Sequence, residues 1–148
     1  MEKMVFQTLI SASKEKLWDS LWTDANYQVW TSAFAEGSKA ESDWKKGSRI
    51  LFTDGKGSCM ISMIAENRPY DFMSFQHLGE LKNGVEDMET AKTQGWAGAY
   101  ENYTLKDVNG KTELTVEMDN MGMSQDMLDY FNNTWPKALE KLKGIAEE

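Results

Sequence analysis

Residues 109–145, NGKTELTVEMDNMGMSQDMLDYFNNTWPKALEKLKGI, place a turn, an alternating strand and a long amphipathic helix in direct succession. Asn109-Gly110 signals a type I′ hairpin turn, because both central positions of that turn need positive φ. After it, Leu114, Val116 and Met118 point one way, while Glu113, Thr115, Glu117 and Asp119 point the other. That is a strand with one wet face. Ser124 is placed to cap the helix, and Asp126 sits in its first turn, where the dipole favours an acid. Leu128, Phe131, Trp135, Leu139, Leu142 and Ile145 then recur at steps of three and four and form one apolar stripe. Pro136 lies inside it. A proline in a helix interior removes a hydrogen bond and costs about 3 kcal/mol. The expectation is a kink near Trp135, or a regular helix only from there onward.

Upstream, residues 4–10 favour a strand with Met4, Phe6 and Ile10 on one face. Ser13 opens a helix over residues 14–22, in which Leu17, Trp18 and Leu21 share a side. Thr23-Asp24 offers a second cap, for a short helix carrying Tyr27, Trp30 and Phe34. Beyond Gly37 the pattern turns to strands, at residues 39–44, 49–54, 58–66, 72–81 and 96–106. Residues 82–94 are polar and acidic and read as a long loop or a short irregular helix. The order is therefore strand, two helices, a run of strands and one long helix. Short turns join the strands, so an α+β fold with an antiparallel sheet is expected. Its apolar face must be covered, and the last helix has the length and the stripe to do so.

The chain has 148 residues with only two prolines and no Pro/Gly/Ser linker, so one domain is expected. With a single cysteine, Cys59, no intrachain disulfide can form, which fits a reducing compartment. The N-terminal stretch lacks a leader-like apolar run, and no window approaches a spanning helix of about 20 residues. A cytoplasmic protein without membrane insertion is the resulting expectation, with a monomer as the default. The net charge is −8, and Lys45-Lys46 is the longest basic cluster, which argues against nucleic acid as a partner. Ten methionines and six tryptophans serve an ordinary core, and they also suit an adaptable apolar pocket.

Several short motifs carry a resemblance. They are Ile10-Ser11-Ala12-Ser13 followed by Trp18, then Trp22-Thr23-Asp24 with Trp30, then the Lys46-Gly47-Ser48-Arg49 turn. The last is residues 135–143, WPKALEKLK. In this order they resemble the START-like, helix-grip superfamily of polyketide cyclases and birch-pollen allergens. Within it they resemble the branch named after the activator of heat-shock protein 90 ATPase, homologue-like. The resemblance implies a curved antiparallel sheet wrapped around a long C-terminal helix, with two short helices after the first strand and an apolar cavity between sheet and helix. Members bind lipids, hormones or polyketides, some are cyclases or hydratases, and some act on chaperones. Many bacterial members have no assigned role. Ser13 stands where the family usually has proline, and the acidic 82–94 segment departs from the pattern.

The residues themselves offer little chemistry. His77 is the only histidine, so a multi-histidine zinc site is impossible. The nucleophile elbow, the P-loop and the dinucleotide fingerprint are absent. Cys59 reads as a small buried hydrophobe. No metal and no cofactor is expected. What remains is polar residues among aromatics on strands. His77 lies in phase with Phe75. Glu101 lies in phase with Tyr103 and Leu105, on a face otherwise apolar, where desolvation disfavours a charge. Each also has an ordinary reading, a satisfied structural histidine and a paired strand carboxylate. The residues expected to line the cavity are Phe75, His77, Glu101, Tyr103 and Met118 from the sheet, with Phe131 and Trp135 from the last helix. Trp30 and Phe34 would guard its mouth and Trp96 would close one edge. The leading expectation is a non-enzymatic binding module for a hydrophobic or amphipathic small molecule. The alternatives are a cyclase- or hydratase-like enzyme using Glu101 and His77, and a chaperone-interacting protein using the acidic segment around Glu86 and Glu89.

Overall fold

The computed structural model describes residues 3–148. Strand β1 (Lys3–Ile10) leads into helices α1 (Lys14–Trp22) and α2 (Asp24–Trp30), then a 3-10 turn over Thr31–Ala33. Strands β2 (Lys39–Glu41), β3 (Arg49–Thr53), β4 (Ser58–Arg68) and β5 (Phe72–Lys82) follow. A short strand β6 (Val85–Asp87) and helix α3 (Glu89–Gln94) precede β7 (Tyr100–Val108) and β8 (Lys111–Asp119). Helix α4 (Gln125–Ala146) ends the chain. All eight strands form one antiparallel sheet in the order β1-β8-β7-β5-β4-β3-β2, with β6 added to β5. This is the expected helix-grip α+β fold. Among the described residues, no helix is long and apolar enough to cross a membrane.

Local chemistry sets the ends of these elements. The Ser13 and Ser124 hydroxyls accept from the Lys16 and Met127 backbone N–H groups and cap α1 and α4. Asn109 and Gly110 turn between β7 and β8 with φ of 54° and 85°, the pair of positive values that a type I′ turn demands. The inner face of the sheet follows from the register. Met4 lies opposite Met118, Met118 opposite Glu101, Glu101 opposite Phe75 and Phe75 opposite Ile64. In α4, Trp135, Ala138, Leu139 and Leu142 are buried against this face and against α1 and α2.

Four expectations are corrected. First, α4 is one continuous helix from Gln125, so it does not begin near Trp135. Pro136 and Asn132 are exposed, so water can satisfy the Asn132 carbonyl that loses its partner. Second, residues 82–94 are neither loop nor irregular helix alone. Asn83 and Gly84, at φ of 52° and 83°, turn the chain into the β5–β6 hairpin, and α3 follows. This unit packs on the outer face at Gly79, where an added Cβ would lie 2.8 Å from the Asp87 carbonyl oxygen. Third, β7 starts at Tyr100 and not at Trp96. Gly95 and Gly98 take φ of 84° and 91° and fold residues 95–99 into turns that no strand can share. Fourth, β2 stops at Glu41, because Trp44 turns away with φ of 65°.

Candidate functional site

A chain of polar side chains crosses the inner face between β4, β5 and β7. Ser62 and His77 lie directly opposite each other on β4 and β5. They do so within a short segment whose register is offset by one residue, bounded by an unpaired Ala65 on β4 and an unpaired Leu78 on β5. Ser62 Oγ lies 2.7 Å from His77 Nδ1, and His77 Nε2 lies 3.2 Å from Glu101 Oε1. The Tyr103 hydroxyl donates to Glu101 Oε2. With Glu101 ionised, one proton arrangement satisfies every member. Ser62 donates to Nδ1, and Nε2–H and Tyr103 donate to the carboxylate. The side chains of His77 and Glu101 are 11% and 16% exposed, so the chain is nearly but not wholly sealed.

Aromatic rings surround it. Phe52 lies 6.2 Å from His77 and 5.1 Å from Phe75, centre to centre. Tyr103 meets Trp22 edge-on at 4.8 Å and Trp135 at 6.2 Å. Trp135 in turn contacts Phe6, Trp30 and Phe34, and Phe34 contacts Phe131. Rings therefore fill the space between sheet and α4, with Phe34, Phe52 and Phe131 only half-buried at its margin. Burial, and then the Glu101 charge, push the Tyr103 phenol well above its ordinary range. The buried Tyr27 phenol is raised for the same two reasons in the same order.

Of the residues expected at the site, Phe75, His77, Glu101, Tyr103 and Met118 come together on the sheet, with Trp135 over them. Trp135 Nε1–H donates to Met118 Sδ at 3.0 Å. Trp30 and Phe34 join through Trp135, and Phe131 through Phe34. Trp96 stands apart, in the turn after α3, with its indole N–H bonded to Gln94 at 3.0 Å. Residues that reasoning from sequence passed over include Ser62, Trp22, Tyr27, Phe52 and Trp44. The half-buried Cys59 has its thiol pushed up, by burial first and by the acids Glu41 and Asp54 next, which disfavours a thiolate nucleophile. Among the described residues, no group of three or more His, Cys, Asp or Glu side chains could hold a metal ion.

Comparison with known proteins bears on this arrangement. The family model described as activator of Hsp90 ATPase homolog 1-like protein matches residues 11–147. The chain belongs to this family. The resemblance read from the motifs is thereby confirmed over nearly the whole length. Solved structures agree on the fold. The solution structure of the Aha1 dimer from Colwellia psychrerythraea is 22% identical, with 99% of this chain and 97% of that chain covered and a TM-score of 0.76. Protein MLL2253 from Mesorhizobium loti is 20% identical, with coverage of 97% and 96% and a TM-score of 0.71. CalU16 from Micromonospora echinospora is 14% identical, with coverage of 97% and 75% and a TM-score of 0.67. At such identities the likeness concerns the fold alone. A search of curated proteins found no match.

Proposed function

We propose that the protein binds a small apolar or amphipathic molecule between the inner face of the sheet and α4, and does no chemistry on it. One observation carries this reading. Glu101 presents a carboxylate among aromatic rings, and its hydrogen-bonding capacity is only half used. An ionised carboxylate has about four lone-pair sites, while His77 and Tyr103 take one each. A ligand hydroxyl or amine would take a third. Its apolar body would displace or lie against the half-buried rings of Phe34, Phe52 and Phe131. A pocket of apolar walls with a few placed polar groups is the common form of small-molecule sites. Family membership supports a ligand-binding role of this general kind.

The contact between His77 and Glu101 also favours a second reading, a cyclase- or hydratase-like enzyme in which they act as acid and base. Against it, both ring nitrogens of His77 already face protein groups, so a substrate would have to displace Ser62 or Glu101 first. A chaperone contact, suggested by the family description, would use the outer surface of β6 and α3, where Val85, Glu86 and Glu89 are exposed. Shortening that hairpin should then remove a contact with heat-shock protein 90 and spare ligand binding.

The test is native mass spectrometry of the protein purified from cells, followed by organic extraction. The expected result is a monomer carrying one apolar ligand, with occupancy falling in Glu101→Gln. Loss of a hydrogen bond to a charged group should weaken binding by roughly 10- to 100-fold. Equal occupancy in wild type and Glu101→Gln would refute the role of the carboxylate. Conversion of the added ligand by wild type but not by His77→Ala would establish the enzyme instead.

A further inference from the structure

The sheet has two edges, and they are built differently. At one, β2 has only three residues, and Trp44 turns the chain away soon after it ends. At the other, β1 pairs with β8 at all eight of its residues, from Lys3 to Ile10, without a bulge. Among the described residues, no backbone hydrogen bond joins the far side of residues 3–9 to another segment. The strand has no proline, and its one charge is Lys3 at the end. A free edge presents unpaired N–H and C=O groups that template another strand, so folded proteins usually guard it with shortness, charge, proline or a bulge. The β2 edge follows that rule and the β1 edge does not.

Both faces beside β1 are open as well. Val5 and Leu9 are 53% and 45% exposed on the outer face, four residues apart and so on one side of the pleat. On the inner face an open groove of about 370 Å³ lies between β1 and α4. Phe6 and Thr8 line it from the strand, and Pro136, Leu139 and Glu140 line it from the helix. Glu140 is its only charged residue and is exposed, and Pro136 is exposed one turn before it on α4.

We infer that the free edge of β1 is a docking site for an extended basic peptide, which joins the sheet as an antiparallel ninth strand. Main-chain hydrogen bonds to β1 supply the affinity, and alternate side chains supply the choice of sequence. On the outer face, β-branched residues four apart lie opposite Val5 and Leu9. Between them the peptide turns basic side chains into the groove, where the stem lies along Pro136 and Leu139 and the cation meets Glu140. The net charge of −8 favours such a peptide at longer range. A second copy of β1 would satisfy the same backbone groups, but it brings Phe6 and Thr8 to the groove and no cation for Glu140. This surface does not require the ligand proposed at Glu101, and either can fail alone.

The probe is the peptide acetyl-Thr-Val-Arg-Thr-Lys-Val-Thr-amide, titrated into the nitrogen-15-labelled full chain. Its valines share one face, and its arginine and lysine share the other. The expected result is a set of saturable shifts that alternate along β1, largest at the amides whose N–H points away from β8, while the β2 amides stay fixed. The same peptide with glutamate in place of arginine and lysine should bind at least about fivefold more weakly. Glu140→Gln, an exposed change, should weaken binding of the basic peptide about two- to fivefold. Val5→Lys, also exposed, puts a guarding charge on the edge and should weaken it roughly tenfold or more. Four outcomes overturn the site. They are no shift along β1 up to millimolar peptide, equal shifts along β2, equal binding of the acidic peptide, and unchanged affinity in Glu140→Gln. Movement of the β1 peaks on diluting the chain alone would assign the edge to a second copy and overturn the peptide.

Discussion

Trp135 and Trp22 are both buried at the centre of ring clusters, and both touch Tyr103. Around Trp135 the cluster is closed. Its indole N–H has an acceptor, its neighbours are Phe6, Trp30 and Phe34, and the helix that carries it seals them with Ala138, Leu139 and Leu142. Trp22 is also buried, but the polar groups around it are not all matched. Its own N–H and Asn67 Oδ1 are unpartnered, and the Glu101 carboxylate lies just beyond Tyr103. Burial alone therefore does not separate core from site in this fold. Hydrogen-bond satisfaction does, because an unmatched buried polar group costs stability and persists where something else depends on it.

The largest expected effect is on alkaline stability, and it belongs to the Trp22 side. Tyr27 and Tyr103 are both raised, by burial first and by the Glu101 charge second. In the unfolded chain phenols ionise near pH 10, whereas the folded chain holds both protons to higher pH. Above about pH 10 the folded state thus binds more protons than the unfolded state, so stability falls as pH rises. Each phenol contributes about 1.4 kcal/mol per pH unit. Urea melts between roughly pH 9 and pH 11 should approach a decline of about 2.7 kcal/mol per unit. Tyr27→Phe should remove about half of that slope. An unchanged slope would mean that the Tyr27 hydroxyl reaches water and the two sides are equally closed.

A smaller effect isolates the unmatched donor. Trp22→Phe and Trp30→Phe remove the same ring volume from buried positions, so their packing losses are similar. Trp30→Phe also loses the bond to the Leu21 carbonyl. Trp22→Phe instead relieves a buried N–H with no acceptor. Trp22→Phe should therefore be the milder change, by about 2 kcal/mol in urea unfolding. Equal losses would show that both indoles are equally satisfied, and the contrast between the two clusters would fall.

The closed side was the more legible one in the sequence, and the reason is geometric. The α4 stripe, the alternation along β8 and the caps at Ser13 and Ser124 are local patterns with fixed periods, and the structure reproduces them. His77 and Glu101 stood out because each is polar on an apolar face. Their contact depended on β5 and β7 being neighbours, which no local period encodes. Ser62 was invisible because it reaches the site only through its pairing with His77, a register across two strands that no local period encodes. The turn at Trp44 was hidden as well. A bulky residue is not expected at φ of 65°, so alternation carried the strand reading to Trp44, three residues past the end of β2 at Glu41.

Trp96 gives the smallest effect and the sharpest limit on the comparison. The sequence reading places Trp96 at the start of a strand, closing one edge of the cavity. Its strand begins only at Tyr100, however, and two glycines at positive φ, Gly95 and Gly98, hold it in the turn after α3. There its N–H is bonded to Gln94 and its side chain is partly exposed, so it belongs to neither cluster. Trp96→Phe should change unfolding free energy by no more than about 0.5 kcal/mol, the usual span for a surface substitution. It should also leave the other indole N–H resonances in place. A loss above about 1.5 kcal/mol, the range of a core truncation, would place Trp96 within the packed face and extend the site to the outer end of β5. A null result confines the functional face to the rings between Phe131 and Trp44.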